Sequence, residues 1–154
     1  MSIGKIRGQA AYIMTTMPPG GFNPHFRQSK FTDPWEPLYS KIADEQVSIG
    51  VILRDVHCNS RGFVHGGFIT SIADNAMGLS CITVLRSQDR DSQGLITVSL
   101  STDYLGGAKI GEWLQTDTSV LKVGGSLCFA SCIISSGNEI IARASASFKI
   151  VSPH

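Results

Sequence analysis

A histidine and two adjacent glycines, His65-Gly66-Gly67, stand at the head of a stretch with helical periodicity, and a lone carboxylate, Asp74, follows within it. The first N–H groups of a helix have no partner inside it and sit at the positive end of its dipole. Glycine at such a position lets a substrate oxygen approach, because no Cβ stands in the way. Donors of this kind stabilise an oxyanion as it forms, with Gly66 the first candidate and Gly67 beside it. Asp74 is the only acid between Asp55 and Asp89, and Ile72, Ala73, Ala76 and Met77 surround it in sequence. A carboxylate in apolar surroundings is partly desolvated, which makes it a stronger base unless polar partners compensate. Asp74 is therefore the natural general base or nucleophile, and the combination describes attack on a carbonyl.

Helix geometry restricts how these residues cooperate. At ~100° and ~1.5 Å per residue, Gly67 and Asp74 share a face but lie roughly 10 Å apart along the axis. An attacking group must come within roughly 3–3.5 Å of its carbon, so one helix cannot serve both ends of the reaction. Two antiparallel helices related by a two-fold axis remove the conflict, setting Asp74 of one subunit against Gly66 of the other. The expected site is composite and lies at a homodimer interface. Two further residues suit it: the amide of Asn59 for polarising the carbonyl or positioning water, and the hydroxyl of Thr97 for orienting that water. Phe63, Met77 and Leu79 supply an apolar wall for an aromatic or aliphatic acyl group. His57 beside Cys58 is a poorer nucleophile pair, since neighbours at a strand end point to opposite sides. The glycines also have a purely structural reading, close helix–sheet packing, and Asp74 that of a satisfied buried carboxylate.

The elements that must hold these residues are marked in the sequence. Asp33-Pro34-Trp35-Glu36 carries an N-cap acid, proline at the first helical position and glutamate at the third, which predicts a short helix to about Lys41. Val47, Ile49, Val51 and Leu53 alternate with Ser48, Gly50 and Arg54, as a half-buried first strand requires. Residues 57–64 read as a loop. Phe68, Ile69, Ile72, Ala73, Ala76, Leu79 and Ile82 recur at helical spacing to about Leu85, with an apolar surface around most of the circumference. Strands follow over Leu95–Tyr104, Glu112–Val123, Ser126–Ser135 and Glu139–Val151, joined by turns at Gly124-Gly125 and Gly137-Asn138. The expected class is α+β, an antiparallel sheet wrapped around one buried helix. Pro18-Pro19-Gly20-Gly21 through Pro24 breaks regular structure, so residues 1–31 read as an N-terminal arm and 32–154 as the domain.

Composition narrows the function. With 154 residues, a formal charge of +1 and 42% hydrophobic residues, the chain suits one globular domain and no nucleic-acid partner. Low charge with this apolar content fits a domain that covers part of its surface with another subunit. No apolar run approaches the roughly 20 residues of a membrane span, and no secretory signal is present, so no membrane partner and a cytoplasmic location are expected. Lys5, Arg7, Arg27 and Lys30 precede the first acid, the bias of an organellar transit peptide, but Gly4 and Gly8 weaken the helix such a peptide needs. Cys58, Cys81, Cys128 and Cys132 show neither CxxC nor zinc spacing, so no metal is expected. Cys128 and Cys132 would lie about 13 Å apart on one strand, outside disulfide reach, and read as small reduced core residues.

Taken together, residues 59–67 (Asn59-Ser60-Arg61-Gly62-Phe63-Val64-His65-Gly66-Gly67), Asp74-Asn75, Val98 to Tyr104 and Ala108-Lys109-Ile110-Gly111-Glu112 resemble the hot-dog-fold acyl-CoA thioesterases. Within them, the similarity is to the phenylacetate-pathway and acyl-CoA thioesterase 13 type and spans about residues 45–151. The resemblance implies a long central helix wrapped by a five- to six-stranded antiparallel sheet, and hydrolysis of an acyl-CoA or aryl-CoA with no cofactor beyond that substrate. It implies that Gly66 donates to the oxyanion and that Asp74 of the facing subunit acts as base or nucleophile. Asn59 would position substrate or water, Thr97 would assist the water, and His65 would order its loop. With Gly67, Phe63 and Met77, His65 belongs to the expected substrate-contacting set. A homodimer or a homotetramer, as a dimer of dimers, is implied as well.

Two departures stand out. Gly124-Gly125 occupies the turn where relatives often carry a basic residue that meets phosphate, and the segment before Pro34 has no counterpart; its four basic residues read as part of a flexible solvated arm, with contact to CoA phosphates as the alternative. Two other readings of such a domain are an enoyl-CoA hydratase or dehydratase, which uses a histidine in a different motif, and a non-catalytic acyl-CoA or aromatic-ligand binder.

Overall fold

The computed structural model describes residues 17–90 and 94–152. Seven strands form one antiparallel sheet: β1 (Asn23–Pro24), β2 (Tyr39–Ala43), β3 (Gln46–Ile52), β4 (Gly94–Tyr104), β5 (Trp113–Val123), β6 (Leu127–Ser136) and β7 (Glu139–Val151). Their order across the sheet is β1-β2-β3-β5-β6-β7-β4, and a long helix, α1 (Gly66–Ser87), the only one among the described residues, crosses it. This is the hot-dog fold, with the two short strands β1 and β2 beyond the five or six expected.

The helix lies where its composition demands. Ile72, Ala73, Ala76, Met77 and Cys81 are fully enclosed, and Phe68, Ile69, Leu79 and Leu85 nearly so. Facing them, β6 and β7 present Cys128, Ala130, Cys132 and Ile134, and Ala142, Ala144, Ala146 and Phe148, as buried alternate residues. The small alanines let the helix approach the sheet. At 22 residues, α1 would be long and apolar enough to cross a membrane, but more than half of its most apolar stretch is buried inside the fold, as a core helix should be. Two buried hydroxyls tie β3 into this core: Ser80 Oγ accepts the Val47 N–H at 2.9 Å and Thr116 Oγ1 the Ile49 N–H at 2.8 Å. Registered pairing of β3 with β5 covers only Gly50–Ile52, so these side chains supply the acceptors the ladder does not.

The expected helix over residues 33–41 is instead a single 3-10 turn at Asp33–Trp35, with Thr32 rather than Asp33 at its N-cap. Pro37 is the reason. The residue before a proline is held out of the helical region, and Glu36 sits at φ −61°, ψ 146°. Glu36 Oε2 then accepts the Leu38 N–H at 2.6 Å, and the chain continues as β2. Val47 to Ile52 thus belongs to the third strand, and Leu53 follows its end. Residues 17–31, read as an arm, lie against the sheet: Asn23 pairs with Ser40 and Pro24 with Tyr39, while the buried Phe22 ring meets Trp113 edge-on at 5.0 Å. Residues 1–16, with Lys5 and Arg7, lie outside the described residues.

A bulge in β4 positions the site. Register shifts between Thr97 and Ser99, so alternation resets at that point. Thr97 reaches the helix before the bulge, whereas Thr102 and Tyr104 reach it afterwards. Odd and even residues of one strand therefore serve the same face.

Candidate active site

Helix α1 begins where a histidine, not a serine or aspartate, supplies the N-cap. His65 is extended (φ −73°, ψ 134°), and its Nδ1 accepts the Gly67 N–H at 2.9 Å. The Gly67 donor is thereby occupied. The Gly66 N–H has no hydrogen-bond partner among the described residues, so the two glycines divide: Gly66 keeps a free donor and Gly67 anchors the cap. Gly66 also sits beneath Tyr104, where an added Cβ would lie 3.1 Å from the ring. The Tyr104 hydroxyl donates to the Gly66 carbonyl at 2.9 Å and meets Thr70 Oγ1 at 2.6 Å, which in turn bonds Thr102 Oγ1 at 3.0 Å. This chain of hydroxyls fixes the first turn of α1 to β4. Tyr104 was not among the residues singled out from sequence, because the bulge reverses the parity on which its facing depends.

The preceding loop is braced from within. Asn59 Oδ1 accepts the Arg61 N–H at 2.9 Å and the Phe63 N–H at 3.2 Å, and the Asn59 N–H reaches the Phe63 carbonyl at 2.7 Å. The oxygen of the Asn59 amide is thus committed to its own loop, which leaves the NH₂ group as the end able to meet a substrate oxygen. Phe63 is 39% exposed and lies beside Lys109, whose ammonium stands 5.6 Å from its ring centre.

Eight residues along α1 lies the second group. Asp74 is partly buried, and the Thr97 hydroxyl donates to its Oδ1 at 2.9 Å. Both line an open cavity of about 470 Å³ with Asn75, Gly78, Leu79 and Leu95. Met77, expected on the acyl wall, is instead wholly buried in the core, since the neighbouring Gly78 and Leu79 hold the cavity side of the helix. At ~1.5 Å per residue, Gly66 and Asp74 are separated by roughly 12 Å along the axis. Within one protomer, the free Gly66 N–H and the Asp74 carboxylate lie too far apart to meet at one reacting carbon.

The other reactive residues have structural employment. His57 is fully buried, with Nδ1 accepting the Arg54 N–H at 2.9 Å and Nε2 on the Trp35 carbonyl at 2.9 Å. Burial pushes its imidazole below the usual range. Desolvation raises the Cys58 thiol, and Asp55 adds to the effect. Burial drives Cys81 up to about 12 and Cys132 up to about 11. All four cysteines are free, and none has the lowered thiol that a nucleophile needs. No group of three or more His, Cys, Asp or Glu side chains able to hold a metal occurs among the described residues.

A free helix-terminal N–H and a carboxylate held by a threonine hydroxyl are groups of the kind that can act on a carbonyl, and comparison with known proteins gives the family. Residues 61–142, more than half the chain, match the model of the thioesterase superfamily. The chain belongs to the thioesterase superfamily. It is similar to a Pseudomonas aeruginosa protein whose name is "Putative esterase PA0474", at 33% identity over 133 residues, covering 86% of this chain and 96% of that one. Acyl-coenzyme A thioesterase 13 of Mus musculus is 31% identical over 91 residues, 58% of this chain and 60% of its own. Among solved structures, zebra fish thioesterase superfamily member 2 superposes with a TM-score of 0.69 at 19% identity, over 97% of this chain and 98% of the other. That last likeness speaks for the shared fold. As a member of the thioesterase superfamily, the chain is a thioester hydrolase.

Proposed function

We propose that this thioesterase hydrolyses acyl-CoA or aryl-CoA, with Asp74 of one subunit acting on a carbonyl held at the Gly66 N–H of its partner. The observation that carries the proposal is the division of the site: a carboxylate prepared by Thr97 at 2.9 Å and an unpaired Gly66 donor, roughly 12 Å apart on one helix. Neither half can reach the other's reacting atom within a protomer, and a two-fold axis with antiparallel helices joins them.

The edge of the sheet supports this reading. β4 is the outermost strand beyond β7, eleven residues long, with Ile96 and Val98 exposed at 56% and 60%. A long, apolar strand with a free edge is a surface that pairs with another. Antiparallel pairing with the β4 of a second copy would lay the two α1 helices alongside each other in opposite directions, so that Asp74 and Thr97 of each face the Gly66 end of the other. Exposed Leu121, Leu127, Phe129 and Ile133 on the other strands leave further apolar surface, which suits assembly of two such dimers.

In the proposed reaction the Gly66 N–H takes the charge that develops on the thioester oxygen. Asp74 attacks the carbonyl carbon directly or withdraws a proton from the water that does so, with the Thr97 hydroxyl fixing the carboxylate oxygen it binds. The NH₂ group of Asn59 is the further donor on the Gly66 side. Collapse of the tetrahedral species expels CoA as the thiolate, which is protonated; the water route leaves the carboxylic acid at once, whereas direct attack leaves a mixed anhydride on Asp74 that a water molecule then hydrolyses to the acid and the free carboxylate. The substrate class rests on the likeness to acyl-coenzyme A thioesterase 13. Release of CoA from a panel of aliphatic and aromatic acyl-CoA esters tests it. Activity on part of the panel that falls at least a hundredfold in Asp74→Ala is the expected result; a wild type inert on all of them overturns it.

A further inference from the structure

Two arginines complete the cavity that holds Asp74 and Thr97. Arg86 comes from the last turn of α1 and Arg27 from the segment between β1 and β2, and both also line an adjoining cavity of about 400 Å³ beside Leu79 and Ile82. Along α1, Asn75, Gly78, Ile82 and Arg86 follow the spacing i, i+3, i+7, i+11, so they form one stripe that starts next to Asp74. Gly78 carries no side chain and leaves that stripe open between its two ends. Asp74 and Arg86 are twelve residues apart, or ~18 Å, and an arginine leans back toward the helix start, which brings its guanidinium to roughly 12 Å from the carboxylate.

Neither arginine has a salt bridge or a side-chain hydrogen bond among the described residues; the one ion pair found there joins Arg143 to Asp103. A cation in the last turn of a helix is favourable to the helix dipole, which accounts for Arg86 by itself. It does not account for a second exposed cation carried to the same cavity by a separate segment. An anion in that cavity would offer both guanidinium groups the planar, two-pronged contact they make with carboxylate and phosphate.

We infer that Arg27 and Arg86 form a subsite for an anionic group of the substrate, held roughly 12 Å from the thioester carbonyl. The inference rests on the proposed acyl-CoA hydrolysis for the identity of the ligand. Two parts of such a molecule carry the required charge: the phosphates of CoA, or a carboxylate at the far end of the acyl group. The subsite also gives residues 25–31 a purpose in substrate selection.

The test uses Arg27→Gln, Arg86→Gln and their combination, with Lys30→Gln as a control that removes a neighbouring exposed charge outside the cavity. Each is assayed on medium-chain acyl and ω-carboxyacyl thioesters, carried either by CoA or by N-acetylcysteamine, which has no phosphate. The double variant is expected to raise KM about three- to tenfold for anionic substrates, as exposed charge-assisted contacts would, with kcat within twofold of wild type. If phosphate is the anion, the penalty follows CoA whatever the acyl group; if carboxylate is, it follows the ω-carboxyl on either carrier. No change on any substrate, or an equal change on all including the neutral N-acetylcysteamine ester, overturns the inference. Calorimetric titration with free CoA and with a dicarboxylate needs no turnover. Weaker binding of either ligand by the double variant supports the subsite even if hydrolysis of acyl-CoA is refuted, and equal binding of both overturns it.

Discussion

Gly66→Pro removes one hydrogen atom from the proposed site with little disturbance to the chain. Gly66 is the first residue of α1, where proline is favoured because the missing N–H has no helical partner in any case. The preceding His65 is already extended at ψ 134°, the region a residue before proline prefers. The cost lies elsewhere: a Cβ at Gly66 comes within 3.1–3.3 Å of Tyr104, so the ring must give by a few tenths of an ångström. Gly66→Ala introduces the same Cβ and keeps the N–H, so the pair of variants separates crowding from donor loss. Loss of one oxyanion donor costs about 2.7–4 kcal/mol in the transition state, or about 10²–10³ in kcat. We expect Gly66→Ala to retain activity within about tenfold, and Gly66→Pro to fall at least a further hundredfold, with both melting close to wild type. The assay is thiol release from an acyl-CoA at saturation, with circular dichroism melts as the control for folding. Equal activity of the proline and alanine variants would refute the assignment of Gly66 as oxyanion donor.

Three further predictions follow from other contacts. Thr97→Val deletes the hydroxyl donating to Asp74; a charged hydrogen bond at a half-exposed site is worth about 1–2 kcal/mol, so kcat should drop about five- to thirtyfold. In an Asp74→Ala background the same change should have no effect, and additive losses in this double-mutant cycle would show that Thr97 does not act through Asp74. Gly50→Ala places a Cβ inside the Trp113 ring, which already packs on Phe22 and Tyr39, so unfolding free energy should fall by about 1–3 kcal/mol in urea titration; an unchanged midpoint would contradict that packing. His57 is held neutral below its ordinary 6.5 by burial, so the unfolded chain binds a proton more readily than the folded one. Stability should therefore be full above that value and decline as pH falls through the lowered folded one. His57→Asn should be less stable at neutral pH but decline less steeply, the remaining slope including His25, which burial lowers in the same way. Parallel slopes would remove His57 as a source.

Much of this arrangement is legible in the residues because periodicity reports burial directly. The helix and the four long strands follow from it, and the separation of Asp74 from Gly66 is a matter of rise per residue; that the Thr97 hydroxyl meets Asp74 itself, rather than only a water, is seen in the structure alone. What escapes is set by tertiary choices. Whether Gly66 or Gly67 keeps its donor depends on the rotamer of His65, and whether Asn59 offers its oxygen or its nitrogen depends on the loop that its oxygen braces. Alternation along β4 conceals Thr102 and Tyr104 until the bulge is known. Pro37 overrides a well-formed helix signal one residue beyond the capping pattern. Arg27 reads as part of a solvated arm, and only the pairing of β1 with β2 brings its segment to the cavity.

The shared site itself is tested most directly by mixing two inactive proteins. Asp74→Ala and Gly66→Pro are each expected to be nearly dead, because each homodimer lacks the same half at both of its sites. After joint refolding, half of the dimers are hybrids, and each hybrid assembles one complete site from the intact Asp74 of one chain and the intact Gly66 of the other. The account predicts recovery of about a quarter of wild-type activity in the mixture, as random pairing across a two-fold interface requires. A mixture as inactive as its components, with hybrid dimers demonstrated by differently tagged chains, would contradict it.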